Sequence, residues 1–342
     1  MIRWALAVFD EECGMDINTI ARMAGVSRAT VSRYLNDGYV SEEKRRLIKR
    51  VIDQTGYVPS PQAQTLRTGK TRLVGVIIPK INSHSVSRMV AGLSVVFNEA
   101  GYQMLLANTD NDAKEEIRFL QLFAERSQVD GVVLISTIVT PAHQRALDAL
   151  KVPLVVLGQQ MEGRSCVFQD DYRATLEITR LVAEKSAHPA FIGVREDDLS
   201  AGCHRHQGFL AACREAGLNV PDRAQVIGGF DVDSGYTSCE GLLEAYPEVD
   251  AVVCATDSVA YGALTCLREY GHGVPDEVQV TGIGDGTLSQ IISPSLTTVH
   301  NYYKTSGIEA AKMLVAAMAD VSDNVARQIM MGFELRRRRS TR

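Results

Sequence analysis

DINTIARMAGVSRATVSRYLN, residues 16–36, is the stretch on which the reading of the chain turns. Ile17, Ile20, Ala21 and Ala24 recur at the spacing of a helix that buries one face. Gly25 interrupts, Val26 is apolar, and Ser27 offers a hydroxyl to the free N–H groups of a second helix in which Val31 and Leu35 point inward. The turn glycine lets the two helices cross steeply. On the second helix Arg28, Ala29 and Arg33 face away from Val31 and Leu35. Two guanidinium groups thus project from a helix narrow enough to enter the major groove of DNA, the layout of a helix-turn-helix reader. A plain helical hairpin with a solvated basic face fits the same pattern, and the flanking sequence decides between them.

After Asn36 the turn DGY leads to Ser41, which can cap a third helix over residues 42–55 with Leu47, Ile48, Val51 and Ile52 as its buried stripe and Gly56 as its stop. Its other face carries Lys44, Arg45, Lys49 and Arg50. From Met15 to Arg72 eleven Lys or Arg stand against five Asp or Glu, a net +6 inside a chain of net −5, which leaves −11 for the rest. A basic head on an acidic body is what a separate DNA-binding domain produces. The polar segment SPQAQTLRTGKTR, residues 60–72, reads as a linker. It also reads as a hinge that turns helical on DNA, with Ala63 and Leu66 on one face and the leucine free to wedge between base pairs.

From Leu73 short apolar runs alternate with amphipathic helices. Strands are expected at 73–78, 103–107, 131–136, 154–157, 190–194, 225–227, 251–254 and 280–283. The helices between them are expected to include 87–100, 114–127, 172–186, 205–216, 258–270 and 302–319. Such alternation means parallel sheets covered by helices on both faces, and eight or more strands call for two doubly wound subdomains. The fold class is therefore α/β, a small all-α helix-turn-helix head (15–59) and linker (60–71) followed by a two-lobed body (72–335). The first lobe is expected to comprise 72–158 and 290–319 and the second 162–286 and 320–335, with ligands in the cleft at the carboxyl ends of the strands. Residues 1–14 carry no periodic pattern and read as an extension from a start site called too early. Residues 336–342, a basic tail without apolar partners, are expected to fray.

The apolar runs are of strand length and the patch WALAVF lacks a cleavage site, so neither a membrane span nor a secretory signal is expected. Seven scattered cysteines without CxxC spacing read as reduced thiols of a cytoplasmic protein. An enzyme would need a nucleophile with its base or a metal cluster; His204 and His206 are the only close histidine pair and read as solvent-facing. Neither GxGxxG after a strand nor a P-loop is present, and no cofactor is called for. A free-standing solute-binding protein would share the body but not the basic head.

The motif AGVSRATVSRYLN, the junction YVPSPQAQTLRTGKTRLVGVIIP and the two-lobed pattern together resemble the LacI/GalR family of bacterial transcription regulators over residues 15 to about 335. The resemblance implies a periplasmic-binding-protein-like body and a homodimer, sometimes a tetramer, on a palindromic double-stranded operator. It implies that Arg28 and Ala29 select the operator and that Arg33 reads a guanine. Ser27, Thr30, Ser32 and Asn36 would contact phosphates or support the recognition helix, with Ile17 and Tyr39 also among the DNA contacts. Leu66 would intercalate and Ala63 lie in the minor groove.

In the body, Arg205 of CHRHQGF falls where the family grips an effector hydroxyl. Thr256 and Asp257 of CATDS fall beside the cleft. Asp285 of GIGDG answers one of a pair of aspartates whose other member is here Gly284. The segments IIPKINSHSVSRMVAG and SPSLTTVHNYYKTSG look more like repressors of sucrose and trehalose utilisation than like lactose, galactose or purine regulators. Lys80 aligns with a basic residue on a sugar phosphate, and Ser83 and Ser85 at a helix start would add donors; a solvated lysine at a strand end is the alternative. With Ser136, Asn301 and Tyr302 the set suits a polyhydroxylated effector. A disaccharide or its 6-phosphate comes first and a monosaccharide second. A purine-responsive regulator, or a sugar sensor without induction, is the alternative.

Overall fold

The computed structural model describes residues 15–36, 38–57, 69–125, 129–320 and 325–342. The expected extension 1–14 and the hinge positions Ala63 and Leu66 lie outside the described residues. The chain divides into two units, Met1–Thr71 and Arg72–Arg342.

The first unit holds α1 (Ile17–Met23), α2 (Arg28–Tyr34) and α3 (Glu42–Thr55). Asp16 Oδ1 accepts the Thr19 N–H at 2.8 Å and Ser27 Oγ the Thr30 N–H at 3.2 Å, so both short helices start on a side-chain cap. Gly25 stands at φ +64°, a conformation in which a Cβ is strained. Ile20, Val31 and Ile48 are fully buried where the three helices meet. Two expectations fail here. Leu47 is 37% exposed, because the buried stripe of α3 runs through Ile48 and Val51 instead. Ser41 occupies the N-cap position without a side-chain cap bond, and Glu42 and Glu43 in the first turn favour the helix dipole in its place.

The second unit contains two six-stranded sheets. In chain order its first part gives β1 (Leu73–Ile78), α4 (His84–Glu99), β2 (Gln103–Asn108), α5 (Ala113–Glu125), β3 (Gly131–Ile135), α6 (Pro141–Asp148), β4 (Leu154–Leu157) and β5 (Cys166–Gln169). Then come α7 (Asp171–Ala183), β6 (Pro189–Val194), a π-helical turn (Leu199–His204), α8 (Arg205–Glu215), β7 (Gln225–Gly228), α9 (Val232–Ala245), β8 (Ala251–Cys254), α10 (Asp257–Glu269) and β9 (Gln279–Ile283). The last part is α11 (Thr287–Ile291), β10 (Thr297–Asn301), α12 (Tyr303–Ala319), β11 (Gln328–Met331) and β12 (Phe333–Arg336). The first sheet runs β11-β5-β4-β3-β1-β2, all parallel; the second runs β12-β10-β9-β8-β6-β7, with only the β12 edge antiparallel.

Central strands such as GVVLI of β3 are buried along their whole length, as a sheet covered on both faces requires. On one face of the first sheet α4 and α12 pack around Leu93, Phe97 and Leu314. Their backbones touch: a Cβ at Gly92 would lie 2.0 Å from the Lys304 carbonyl, and one at Gly307 2.1 Å from that of Met89.

The lobes divide differently from the sequence reading. Cys166–Gln169 pairs with β4 in the first sheet rather than opening the second lobe. Thr297–Asn301 pairs with β9 in the second sheet, and Gln328–Met331 returns to the first. The chain therefore crosses between lobes near Asp170, Tyr302 and Gly332, since strands this short take their place from pairing rather than from hydrophobic pattern.

The tail is not frayed. Ser340 is fully buried, donates to the Val280 carbonyl at 2.6 Å and accepts the Thr297 N–H at 2.8 Å. Arg342 donates to the Lys185 carbonyl at 2.8 Å. Polar bonds anchor it, which an apolar periodicity cannot reveal.

Candidate functional site

In the head, Arg28, Ala29, Arg33, Asn36 and Tyr39 are exposed, Tyr39 at 90%. Among the described residues no ion pair engages Arg28 or Arg33. Ser27 and Thr30 hold the start of α2, their hydroxyls 2.9 Å apart, and Asn36 Nδ2 reaches Ser32 Oγ at 3.4 Å. Ile17 packs half-buried against the core. Arg45 leaves the basic face of α3 to lie over the Tyr34 ring, 5.4 Å from its centroid. The outer face of α2 is thus a rigid platform for two uncommitted guanidinium groups.

In the body a cavity of about 450 Å³ opens at the carboxyl ends of strands from both sheets. Lys80, Ser83, Ser85 and Ser136 line it from the first lobe, and Arg205, Thr256 and Asp257 from the second. Arg205 is 6% exposed; its Nε and Nη2 donate to Asp171 Oδ1 at 2.8 and 2.6 Å, and its Nη1 to the Ala255 carbonyl at 2.5 Å. Burial opposes the guanidinium charge most strongly of any one influence, and Asp171, Tyr303 and Asp198 together outweigh it and raise the pKa. The guanidinium also hydrogen-bonds the Tyr303 hydroxyl, so most of its N–H fork is taken up within the protein.

Asp257 accepts Thr298 Oγ1 at 2.5 Å on one oxygen, and the Gly286 N–H at 2.8 Å and Ser289 Oγ at 2.7 Å on the other. Burial pushes its pKa up against those bonds. Its first task is to hold the wall formed by residues 284–289. Thr256 Oγ1 caps α10 by accepting the Val259 N–H at 3.2 Å.

Three expected ligand contacts do not line the cavity. Asp285 turns to the tail, 2.9 Å from His300 Nδ1 and 2.5 Å from Arg338 Nη2. Burial alone would raise its pKa, but the hydrogen bonds from Arg338 and His300 hold it below the usual carboxylate range. Asn301 is buried, donating to the Tyr303 hydroxyl at 3.1 Å, and it is Tyr303 that faces the cavity. Tyr302 is 39% exposed and reaches Glu334 at 3.3 Å. Of the histidine pair, His206 is not solvent-facing: its ring stacks on Phe191 at 5.1 Å, between Glu196 at 2.8 Å and Gln225 at 2.7 Å. Among the described residues no group of three or more His, Cys, Asp or Glu could hold a metal.

Sequence reasoning missed Gln169, Asp171, Asp198, Asp231 and Phe230. Asp198 is 4% exposed, accepts the Ser200 and Ala201 N–H groups at 3.0 and 2.9 Å, and is pushed by burial up to about 6 against those bonds. Asp231 caps α9 through the Ser234 N–H at 2.8 Å. A signal existed for the aspartates: Asp198 and Asp231 are helix N-caps and Asp171 is the first residue of α7, all at the ligand-facing edge where a strand or loop passes into a helix. Gln169, whose Nε2 is buried without a partner among the described residues, had no such signal. Ser200 Oγ donates to the Gly158 carbonyl at 3.0 Å and so ties the second lobe to the first. The lining carries Lys80 and Arg205 against Asp171, Asp198, Asp231 and Asp257, and Lys80 faces Asp231 closely enough to help lower its pKa behind the Ser234 bonds.

Comparison with known proteins bears on both units. Residues 16–60 match the bacterial regulatory proteins of the lacI family, and residues 178–341 match the periplasmic binding protein-like domain. The chain is 32% identical over 300 residues to the sucrose operon repressor of Staphylococcus xylosus, spanning 87% of this chain and 92% of that one. It is 32% identical over 309 residues to the HTH-type transcriptional regulator CelR of Thermobifida fusca, spanning 87% and 90%. Among solved structures it is similar to a transcriptional regulator CelR–cellobiose complex, with a TM-score of 0.74 at 30% identity over 96% of this chain and 100% of that one.

Proposed function

The chain belongs to the lacI family of bacterial regulatory proteins, and on that premise we propose that it represses sugar-utilisation genes from a palindromic operator until a neutral disaccharide fills its cavity. It acts in the cytoplasm as a homodimer or tetramer. Arg28 and Arg33 read base edges, while Ala29, Ser32, Asn36 and Tyr39 complete the contact and Lys44 and Arg50 supply salt-dependent affinity. Residues 60–71 act as the hinge, with Ala63 and Leu66 in the minor groove. No helix among the described residues is long and apolar enough to cross a membrane.

The observation that carries the effector reading is the buried set of paired donors and acceptors around Arg205, Asp171 and Asp198, with Phe230 available to cover one face of a sugar ring. Relatives named for sucrose and complexed with cellobiose support a disaccharide. Four carboxylates against two cations disfavour a phosphate, which makes the sugar phosphate the second choice despite Lys80.

A thermal-shift panel of sucrose, trehalose, cellobiose, their 6-phosphates, hexoses and purines tests this. The effector at 100 times its dissociation constant stabilises the chain by about 2.7 kcal/mol. A neutral disaccharide is expected to give that rise. A rise confined to 6-phosphates and erased by Lys80→Ala would restore the phosphosugar, and a rise with purines alone would overturn the sugar reading.

A further inference from the structure

Behind the cavity wall lies a buried trio for which sugar binding gives no account so far. Ser136 lines the cavity at the end of β3, and its hydroxyl donates to Glu116 Oε1 at 2.8 Å. Glu116, on α5, is 4% exposed, and the same oxygen lies 3.3 Å from Nε2 of His143 on α6, which is fully buried. The His143 tautomer follows from its other nitrogen. Nδ1 accepts the Thr140 backbone N–H at 3.1 Å, so the proton of the neutral ring sits on Nε2, on the Glu116 side. Burial lowers the His143 pKa and keeps the ring neutral.

No other charge among the described residues intrudes. Glu115 and Arg118 pair with each other on the exposed face of α5. Arg145 of α6 is exposed, and Asp148 pairs with Arg164. The adjacent strand β1, LVGVII, has no titratable group.

We propose that Glu116 and His143 are positioning residues for the effector: by accepting the Ser136 O–H, Glu116 leaves Ser136 Oγ as an acceptor toward the cavity, so that this corner selects a ligand hydroxyl as donor. The proposal rests on the carbohydrate reading above. A serine oxygen whose proton is committed offers only lone pairs, and a ligand group that can only accept is rejected there. Burial raises the Glu116 pKa to about 7, with the Ser136 bond pulling the other way. Once protonated, Glu116 donates to Ser136 instead: one serine lone pair is then taken, the serine proton turns to the Ile138 carbonyl at 3.4 Å or into the cavity, and the selected hydroxyl loses its acceptor.

Calorimetric titration of the full chain with sucrose, trehalose and cellobiose at pH 6 and pH 8 tests the inference. For the sugar that binds, wild-type affinity is expected to be roughly tenfold higher at pH 8 than at pH 6, because the ligand prefers the ionised Glu116. Glu116→Gln, whose amide oxygen can still accept the hydroxyl, should match the wild type at pH 8 and lose the part of the pH dependence centred near 7, leaving only the contribution of Asp198 toward pH 6. Ser136→Ala should bind about tenfold more weakly at pH 8, the loss of one buried hydrogen bond, and lose the pH dependence centred near 7, keeping only what Asp198, pushed up to about 6, adds toward pH 6. Retention of the wild-type pH dependence in Glu116→Gln, or of full affinity in Ser136→Ala, would overturn the proposal; if Glu116→Gln does not fold, Ser136→Ala decides alone. Failure of every sugar to bind the wild type would remove the carbohydrate reading, and this one with it.

Discussion

Arg33 in the head, the proposed base reader, and Arg205 in the body, the proposed effector contact, are held in opposite ways. Arg33 stands in solvent on a short helix whose stability comes from elsewhere, from the Ser27 cap and the Ile20, Val31 and Ile48 core. Arg205 is buried and already bonded to Asp171 and to the Ala255 carbonyl, so the group that would meet a ligand also neutralises a buried carboxylate. Recognition and stability are separable in the head and fused in the cavity. A head built this way can change operator preference by exchanging exposed side chains. A cavity built this way can change ligand only by replacing whole bonded sets.

The contrast is broken most directly at Arg205. Arg205→Ala leaves Asp171 buried without its partner, and urea denaturation should report a loss of about 3–5 kcal/mol. A loss below 1 kcal/mol would mean that the pair is not part of the scaffold. At Arg33 the prediction is reversed. Arg33→Ala should cost about 1–3 kcal/mol in binding to a specific duplex while stability changes by no more than about 0.5 kcal/mol. Ser27→Ala sharpens the distinction within the head, since thermal melting should show a loss of about 1 kcal/mol from the cap alone.

The smallest effect concerns Asp285. Its folded pKa lies below its unfolded value, so its stabilising contribution is complete above about pH 4 and is lost as the pH falls through the depressed folded value. Arg338→Gln removes one of the bonds that lower it and should move the acid-unfolding midpoint upward; an unchanged midpoint would show that the tail does not hold this carboxylate.

The same contrast explains what could be read in advance. The head depends on contacts close in sequence: Asp16 caps Thr19, Ser27 caps Thr30, and Gly25 makes the turn. Spacing alone exposes such features. The apolar strands were legible for the same reason, because β1, β3, β6 and β8 are continuous runs buried on both faces.

The cavity was legible only in part. Asp171 meets Arg205 and Arg338 meets Asp285 across long stretches of chain, and no local periodicity encodes either pair. Asp285 fits a ligand-binding motif by position, yet the tail turns its carboxylate away from the cavity. The tail itself was misread because Ser340 and Arg342 are held by backbone carbonyls rather than by apolar contacts. Short strands such as Cys166–Gln169 and Gln328–Met331 gained their place from hydrogen-bonded neighbours, which is why the lobe boundaries moved.

Coupling between the two units is the central claim, and one titration tests it. A duplex selected by the full chain from a random pool would be labelled, and its binding followed by fluorescence anisotropy as sucrose, trehalose or cellobiose is added. The selected duplex should be palindromic, one neutral disaccharide should weaken its binding at least tenfold, and Arg205→Ala should bind the same duplex without responding. Binding that no carbohydrate alters, or that responds equally in Arg205→Ala, would contradict the assignment of the cavity as the site through which this protein is regulated.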